Sequence, residues 1–151
     1  KVLSEIVQVK SQAGDMIGLD IIKSQTKIEP VFKKGELTGI SIKVKLSSNV
    51  DEVHATSDIF TKDSIDFLSS QQSKAIQMEI QDVIKVSKEA NADFLNISSV
   101  FSTDHPVKWQ KYKDRWREIF PTLPINVEVE SKINRTYDIR EPNGFIQEDH
   151  K

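Results

Sequence analysis

Polar and apolar residues alternate with a period of two through the first third of the chain. Leu3, Glu5, Val7 and Val9 alternate with Val2, Ser4, Ile6 and Gln8, so the pattern predicts a first strand, although neither of its faces is purely apolar. Ala13-Gly14-Asp15 is a turn signal. Ile17, Leu19 and Ile21 then share one face of a second strand, predicted to run past Ser24 toward Ile28 and to stop at Pro30, which has no N–H to give to a ladder. Lys33-Lys34-Gly35-Glu36 reads as a short hairpin connection between Val31-Phe32 and Leu37. In the clearest strand Ile40, Ile42, Val44 and Leu46 face inward and Ser41, Lys43 and Lys45 face water, as in an antiparallel sheet covered on one side. From Ser47 to Thr61 the alternation gives way to an expected polar loop.

Beyond that loop the period changes. Ile65, Leu68, Ile76, Ile80, Val83 and Ile84 recur at helical spacings of three and four, with Gln72 and Ser87 as the weak points of the stripe. Asp63 and Asp66 in the first turn and Lys85 and Lys88 in the last suit the helix dipole, and Asn91 is placed to take the left-handed residue that closes a helix. A helix from Asp63 to Ala90 would be ~42 Å long. A short second helix is predicted over Phe94 to Phe101, and a third starts at Pro106, a residue favoured at the first helical position. In the third, Trp109, Tyr112 or Lys113, and Trp116 line up, with Phe120 close behind. Pro121 and Pro124 end the helical region, and Ile125, Val127, Val129 and Ile133 form the inward face of a last strand.

The pattern predicts an α+β fold: a mostly antiparallel, curved sheet packed on one long helix plus two shorter helices, with the last strand returning to the sheet. We expect one domain over residues 1–137. Residues 138–151, charged and carrying Pro142-Asn143-Gly144, have little to bury and are expected to form a flexible tail.

Composition narrows the function classes. With 37% hydrophobic and 29% charged residues the 151-residue chain is globular in character and long enough to bury a core. A formal charge of −2 argues against general affinity for nucleic acid. The absence of cysteine excludes disulfides, thiolate metal sites and cysteine nucleophiles. No apolar run approaches the ~20 residues of a membrane helix, no signal peptide opens the chain, and its start at Lys1 suggests a mature or excised fragment.

Candidate chemistry is sparse. The histidines at 54, 105 and 150 have no metal-ligand spacing, so no metal or cofactor is expected. Glu128 and Glu130 lie opposite the apolar face of their strand, on a solvated face rather than in the differing environments that paired carboxylates need for acid–base work. There is no G-x-S-x-G elbow and, with five glycines in all, no phosphate-cradling loop, so no catalytic residue is assigned. Asn96-Ile97-Ser98 and Asn134-Arg135-Thr136 match the glycosylation sequon, a pattern short enough to arise by chance. The segment from Lys108 to Arg117 is basic with interleaved aromatics, a mix found in single-strand nucleic-acid binders. Helical spacing sorts it differently: Trp109, Trp116 and Phe120 fall on a packing face, while Lys108, Lys111 and Arg115 form a wet basic ridge. We assign the aromatics a structural role and the ridge a candidate contact with an acidic partner loop or anionic headgroups.

Several segments occur in an order that resembles the C-terminal domain of the Ger(x)C spore-germination lipoproteins. They are Ala92-Asp93-Phe94, Pro106-Val107-Lys108-Trp109, Trp116 to Pro121 and the strand Ile125 to Glu130, closing toward Arg135. Upstream, Ser24-Gln25-Thr26-Lys27-Ile28-Glu29-Pro30 is similar to the family's "SKTKIKP" segment and Leu46 to Glu52 to the loop after it. Asn96-Ile97-Ser98 stands where members tend to carry a Gly-rich stretch, and Thr136-Tyr137-Asp138 replaces a Gly-containing end. The resemblance implies a non-enzymatic subunit of a nutrient germinant receptor. It further implies a lipid anchor outside this chain, a place on the outer face of the spore inner membrane, and assembly with integral-membrane A and B subunits. An extracytoplasmic small-ligand-binding module is the alternative, and it would need an apolar pocket with a few convergent polar groups.

Overall fold

The computed structural model describes residues 5–51 and 60–134; Leu3, His54, the Arg135-Thr136 half of the second sequon, His150 and the charged segment 138–151 lie outside them. Strands β1 (Glu5–Lys10), β2 (Met16–Lys33), β3 (Glu36–Val50) and β4 (Ile125–Asn134) form one sheet in chain order, joined by helices α1 (Lys62–Ala90), α2 (Ile97–Asp104), α3 (Pro106–Tyr112) and α4 (Trp116–Ile119). This is the α+β class that the alternation and the long helical stripe predict.

The order follows from local rules. Val9 lies opposite Ile17 and Val7 opposite Leu19 in the antiparallel β1–β2 pair, so the apolar parity of both strands meets on one face. Between β2 and β3 only Lys34 and Gly35 intervene, with φ of 52° and 80°; two positive φ values in a two-residue loop match the twist of a hairpin. At β4 the direction changes. The N–H of Ile40 donates to Pro124, and Asn134 bonds Ser47 and Asn49, so numbering rises together along β3 and β4 and the pair is parallel. A parallel neighbour needs a crossover, and α1 supplies it. The fit at the start of β4 is close enough to require glycine: a Cβ on Gly39 would come within 2.9 Å of the Pro124 carbonyl.

Two strands run further than their composition predicts. β2 passes through Pro30 to Lys33. Among the described residues β1 pairs with Met16–Ile21 and no strand lies on that side of Pro30, the kind of position in a sheet that tolerates a missing N–H. β3 likewise continues through the expected polar loop as far as Val50. Ser48 and Val50 keep the inward parity of Leu46, and Ser48 is fully buried because its hydroxyl accepts a 2.8 Å hydrogen bond from Gln72 Nε2.

The described chain forms two compact units, and β2, β3, α1 and β4 each contribute to both. In the first (up to Ser24, Lys45–Lys74 and from Glu130), Val7, Val9, Ile17, Leu19, Leu46, Val50, Ile65, Leu68 and Ile133 are buried around the Ser48–Gln72 bond. In the second (Gln25–Val44 and Ala75–Val129), the buried set is Ile40, Ile42, Val44, Ile76, Ile84, Val127 and the residues of the helical segment described below. Along α1 the buried positions are Ile65, Leu68, Gln72, Ile76, Ile84 and Ser87. The two polar residues that interrupt the apolar stripe therefore belong to its inward face. Val83, one position and about 100° away from Ile84, turns out to solvent.

Asn91 closes α1 with φ 51°, as its sequence position predicts. The next helix begins three residues later than the apolar pattern predicts. The Asp93 carboxylate accepts the N–H groups of Ile97 (2.8 Å) and Ser98 (2.6 Å), and Asn96 turns the chain with φ 59°, so α2 starts at Ile97 and runs to Asp104. One carboxylate thus satisfies two of the orphan donors at a helix N-terminus, where its charge also suits the dipole. Asp93→Ala is expected to lower stability by about 1–2 kcal/mol. Chemical denaturation followed by circular dichroism reads that loss, and Asp93→Asn should recover part of it.

Candidate functional site

The third helix of the sequence pattern is broken into short pieces. α3 ends at Tyr112, a 3-10 turn covers Lys113–Arg115, α4 spans Trp116–Ile119, and a second 3-10 turn at Phe120–Thr122 leads toward β4. No Gly or Pro lies between Val107 and Ile119, so local propensity does not impose the break. Tertiary demands accompany it. The Tyr112 hydroxyl accepts the Leu37 N–H at 3.2 Å, and Trp116 must meet three aromatic neighbours.

Those neighbours form a continuous aromatic cluster. Phe101, 1% exposed, is its hub, with ring centroids 5.1 Å from Trp109, 5.9 Å from Tyr112, and 6.0 Å from both Trp116 and Phe32. Trp109 and Trp116 meet edge to face at 5.2 Å, and Phe120 extends the row beyond Trp116. Trp116 and Phe120 are buried and Trp109 is half-buried. Polar groups at the C-terminal end of α1 and just after it hold the same segment by its backbone: Lys88 Nζ donates to the Leu123 carbonyl and Asn91 Nδ2 to that of Arg117. The spacing of the aromatics picks out Trp109, Trp116 and Phe120. It misses Phe101 and Phe32, which lie outside the segment, and leaves open the choice between Tyr112 and Lys113.

Lys108, Lys111 and Arg115 are all exposed, yet two of the three are already engaged. Lys108 Nζ lies 4.2 Å from the centre of the Phe32 ring. Lys111 Nζ donates to Glu36 Oε2 at 2.8 Å, beside the β2–β3 turn. This hydrogen bond, reinforced by charge attraction, holds the Glu36 carboxyl below its usual range and raises Lys111. The pair therefore persists between the lowered Glu36 pKa and the raised Lys111 pKa, and dissolves outside that window. Being exposed, it contributes little to stability. Arg115 makes no ion pair among the described residues and offers its guanidinium directly to solvent.

The second unit also carries a cleft of about 390 Å³ lined by Thr26, Lys27, Ile28, Glu29, Val100, Asp104 and His105. Its lining is mixed, with Ile28 and Val100 beside Thr26, Lys27, Glu29, Asp104 and His105. His105 ends α2 and precedes Pro106, with its ring edge-on to Phe32 and Phe101. Glu128 and Glu130 are exposed on the outward parity of β4. Among the described residues no helix is long and apolar enough to cross a membrane.

A parallel strand added to a meander through a long crossover helix, with an aromatic cluster securing a broken helical segment, is an α+β arrangement. The chain belongs to the spore germination B3/GerAC-like family, whose C-terminal domain matches residues 1–137. This is the family that the motif order resembles. It is 28% identical over 123 residues to spore germination protein KC and 29% identical over 129 residues to spore germination protein B3, both of Bacillus subtilis (strain 168). Those alignments take in 81% and 84% of this chain but only 30% and 34% of the relatives. The crystal structure of the GerBC protein superposes with a TM-score of 0.72 at 26% identity, over 87% of this chain and 41% of that one. The chain thus spans well under half the length of each of these relatives.

Proposed function

We propose that this chain is the C-terminal domain of the C subunit of a nutrient germinant receptor. It acts there as one structural and interaction domain over residues 1–137, with no reaction of its own. In this reading the full-length protein is held by a lipid anchor on the outer face of the spore inner membrane, and the domain contacts the integral-membrane A and B subunits. The observation that carries the proposal is the family match over 1–137. The ridge of Lys108, Lys111 and Arg115 is the contact we assign to a partner's acidic loop, with Arg115 as the charge not already held within the domain.

The triple variant Lys108→Glu, Lys111→Glu and Arg115→Glu in the full-length protein tests this contact in spores. It is expected to accumulate at wild-type abundance and to slow nutrient germination, because exposed charges steer and register a contact without holding up the fold. The paired exchange Glu36→Lys with Lys111→Glu restores the local ion pair and is the control for its loss. Normal germination of the triple variant at normal abundance would remove the ridge from the interface.

A further inference from the structure

We propose that the β2–β3 hairpin tip and the basic ridge form one surface for an acidic segment of a partner protein, and that Glu36 is an internal competitor whose place on Lys111 the partner's carboxylate takes. This rests on the reading of the ridge as a contact. It adds a second wall to that contact and names the group that limits its affinity.

The two elements are tied side by side. Lys108 Nζ sits 4.2 Å from the centre of the Phe32 ring, Lys111 Nζ donates to Glu36 Oε2 at 2.8 Å, and the Tyr112 hydroxyl accepts the Leu37 N–H at 3.2 Å. Neighbouring positions of α3 thus hold neighbouring positions of the hairpin, all within the second unit. Lys33 and Lys34 lie between Phe32 and Glu36 and are exposed, so the three ties bring the tip's own cations alongside the ridge.

Charge sets the chemistry of the occupant. Residues 32–37 and 107–115 hold six of the chain's 21 Lys and Arg but only two of its 23 Asp and Glu, in a chain whose formal charge is −2. Positive charge is therefore gathered here against the sign of the whole, the condition for drawing in an anionic partner. A nucleic acid would need aromatic faces for its bases, and Trp109 and Trp116 are instead packed on Phe101 and on each other.

The two acids differ. Asp114 is exposed and makes no ion pair among the described residues. Glu36 is bonded to Lys111 and also feels the charge of Arg115, so one carboxylate already stands where two of the cations act together. Both partners of the Lys111–Glu36 pair are exposed, and such a pair contributes little to the fold, so exchanging one carboxylate for another loses little. A segment with several acids gains more from the exchange, since it reaches Lys33, Lys34, Lys108 and Arg115 as well.

The test titrates octaglutamate into the isotope-labelled 151-residue chain at low ionic strength and reads both affinity and site from amide NMR shifts. We expect shifts at Lys33, Lys34, Lys108, Lys111 and Arg115, and binding that weakens with added salt. Glu36→Gln should bind octaglutamate roughly two- to fivefold more tightly, the range set by an exposed ion pair, and should melt as the parent does. Asp114→Asn makes the same change in net charge without freeing a lysine, and should strengthen binding less. Lys33→Glu with Lys34→Glu should weaken binding by about tenfold or more. Lys43→Glu with Lys45→Glu, an equal change in charge on exposed residues of β3 away from the tip, should weaken it less. The proposal is overturned if octaglutamate does not bind, if the shifts fall elsewhere, if Glu36→Gln gains no more than Asp114→Asn, or if the tip pair loses no more than the β3 pair. Vesicles of phosphatidylglycerol and phosphatidylcholine are the second probe, and a chain that binds them but not octaglutamate would assign the surface to lipid. Slowed germination of the ridge triple variant, with no effect of Glu36→Gln on octaglutamate, would leave the ridge as a contact and end this inference alone.

Discussion

Phe101→Ala is expected to lower the unfolding free energy by about 3–5 kcal/mol. The ring is buried, and it touches Phe32 of β2 and, from the segment that follows α2, His105, Trp109, Tyr112 and Trp116. Removing it leaves a cavity that the surrounding rings can only partly close, because each is held by another neighbour as well. Trp116→Ala should fall in the same range, whereas half-buried Trp109 should matter less. For a chain of this length each kcal/mol corresponds to about 2–4 °C in melting temperature, so thermal unfolding should show a drop of roughly 10 °C. A Phe101→Ala protein that melts within a degree or two of the parent would mean that the cluster is not a core.

Gln72→Ala should be the next most damaging change, at about 2–4 kcal/mol, because it opens a cavity and strands a hydroxyl. Gln72 and Ser48 are both fully inaccessible, and each is the other's recorded hydrogen-bond partner within the first unit. Among the described residues Gln72 Oε1 has no partner, so the pair is only half satisfied there. Replacing both members by apolar side chains, Gln72→Leu with Ser48→Ala, should therefore be close to neutral, since the desolvation penalty disappears from both sides. A double-mutant cycle measured by urea denaturation should return a coupling of about 0.5–3 kcal/mol. Strict additivity of the two single changes would show that the bond does not organise this part of the core.

These two residues also show where sequence reading succeeds and where it stops. Alternation and helical periodicity are local, and they carried most elements: the hairpin at Lys34-Gly35, the inward parity of Ile40 to Leu46, the long helix and the last strand. Gln72 and Ser87 looked like interruptions because periodicity scores each residue by its own polarity. Burial of Gln72 goes with a partner, and Ser48 is 24 positions away. The same locality hides the role of Asp93 as a cap acting from beyond the N-cap residue, the passage of β2 through Pro30, and the place of Phe32 beneath Lys108. Trp116 and Phe120 were legible as packing residues by spacing alone. Their hub was not, since Phe101 lies on a different helix. The basic ridge was legible as three exposed cations, but the engagement of Lys111 by Glu36 depends on a contact 75 positions apart. Family membership was readable for a different reason, the order of several motifs along the chain rather than any single residue.

The role we propose for this domain is in nutrient-triggered germination, through its contacts within the receptor. Its most direct test is in-frame removal of residues 1–137 from the full-length protein, followed by germination assays on spores that retain the rest of the polypeptide at normal abundance. Nutrient germination through that receptor should be lost, while germination by a trigger that bypasses nutrient receptors should proceed at the parental rate. Parental nutrient germination in spores lacking the domain would contradict the account.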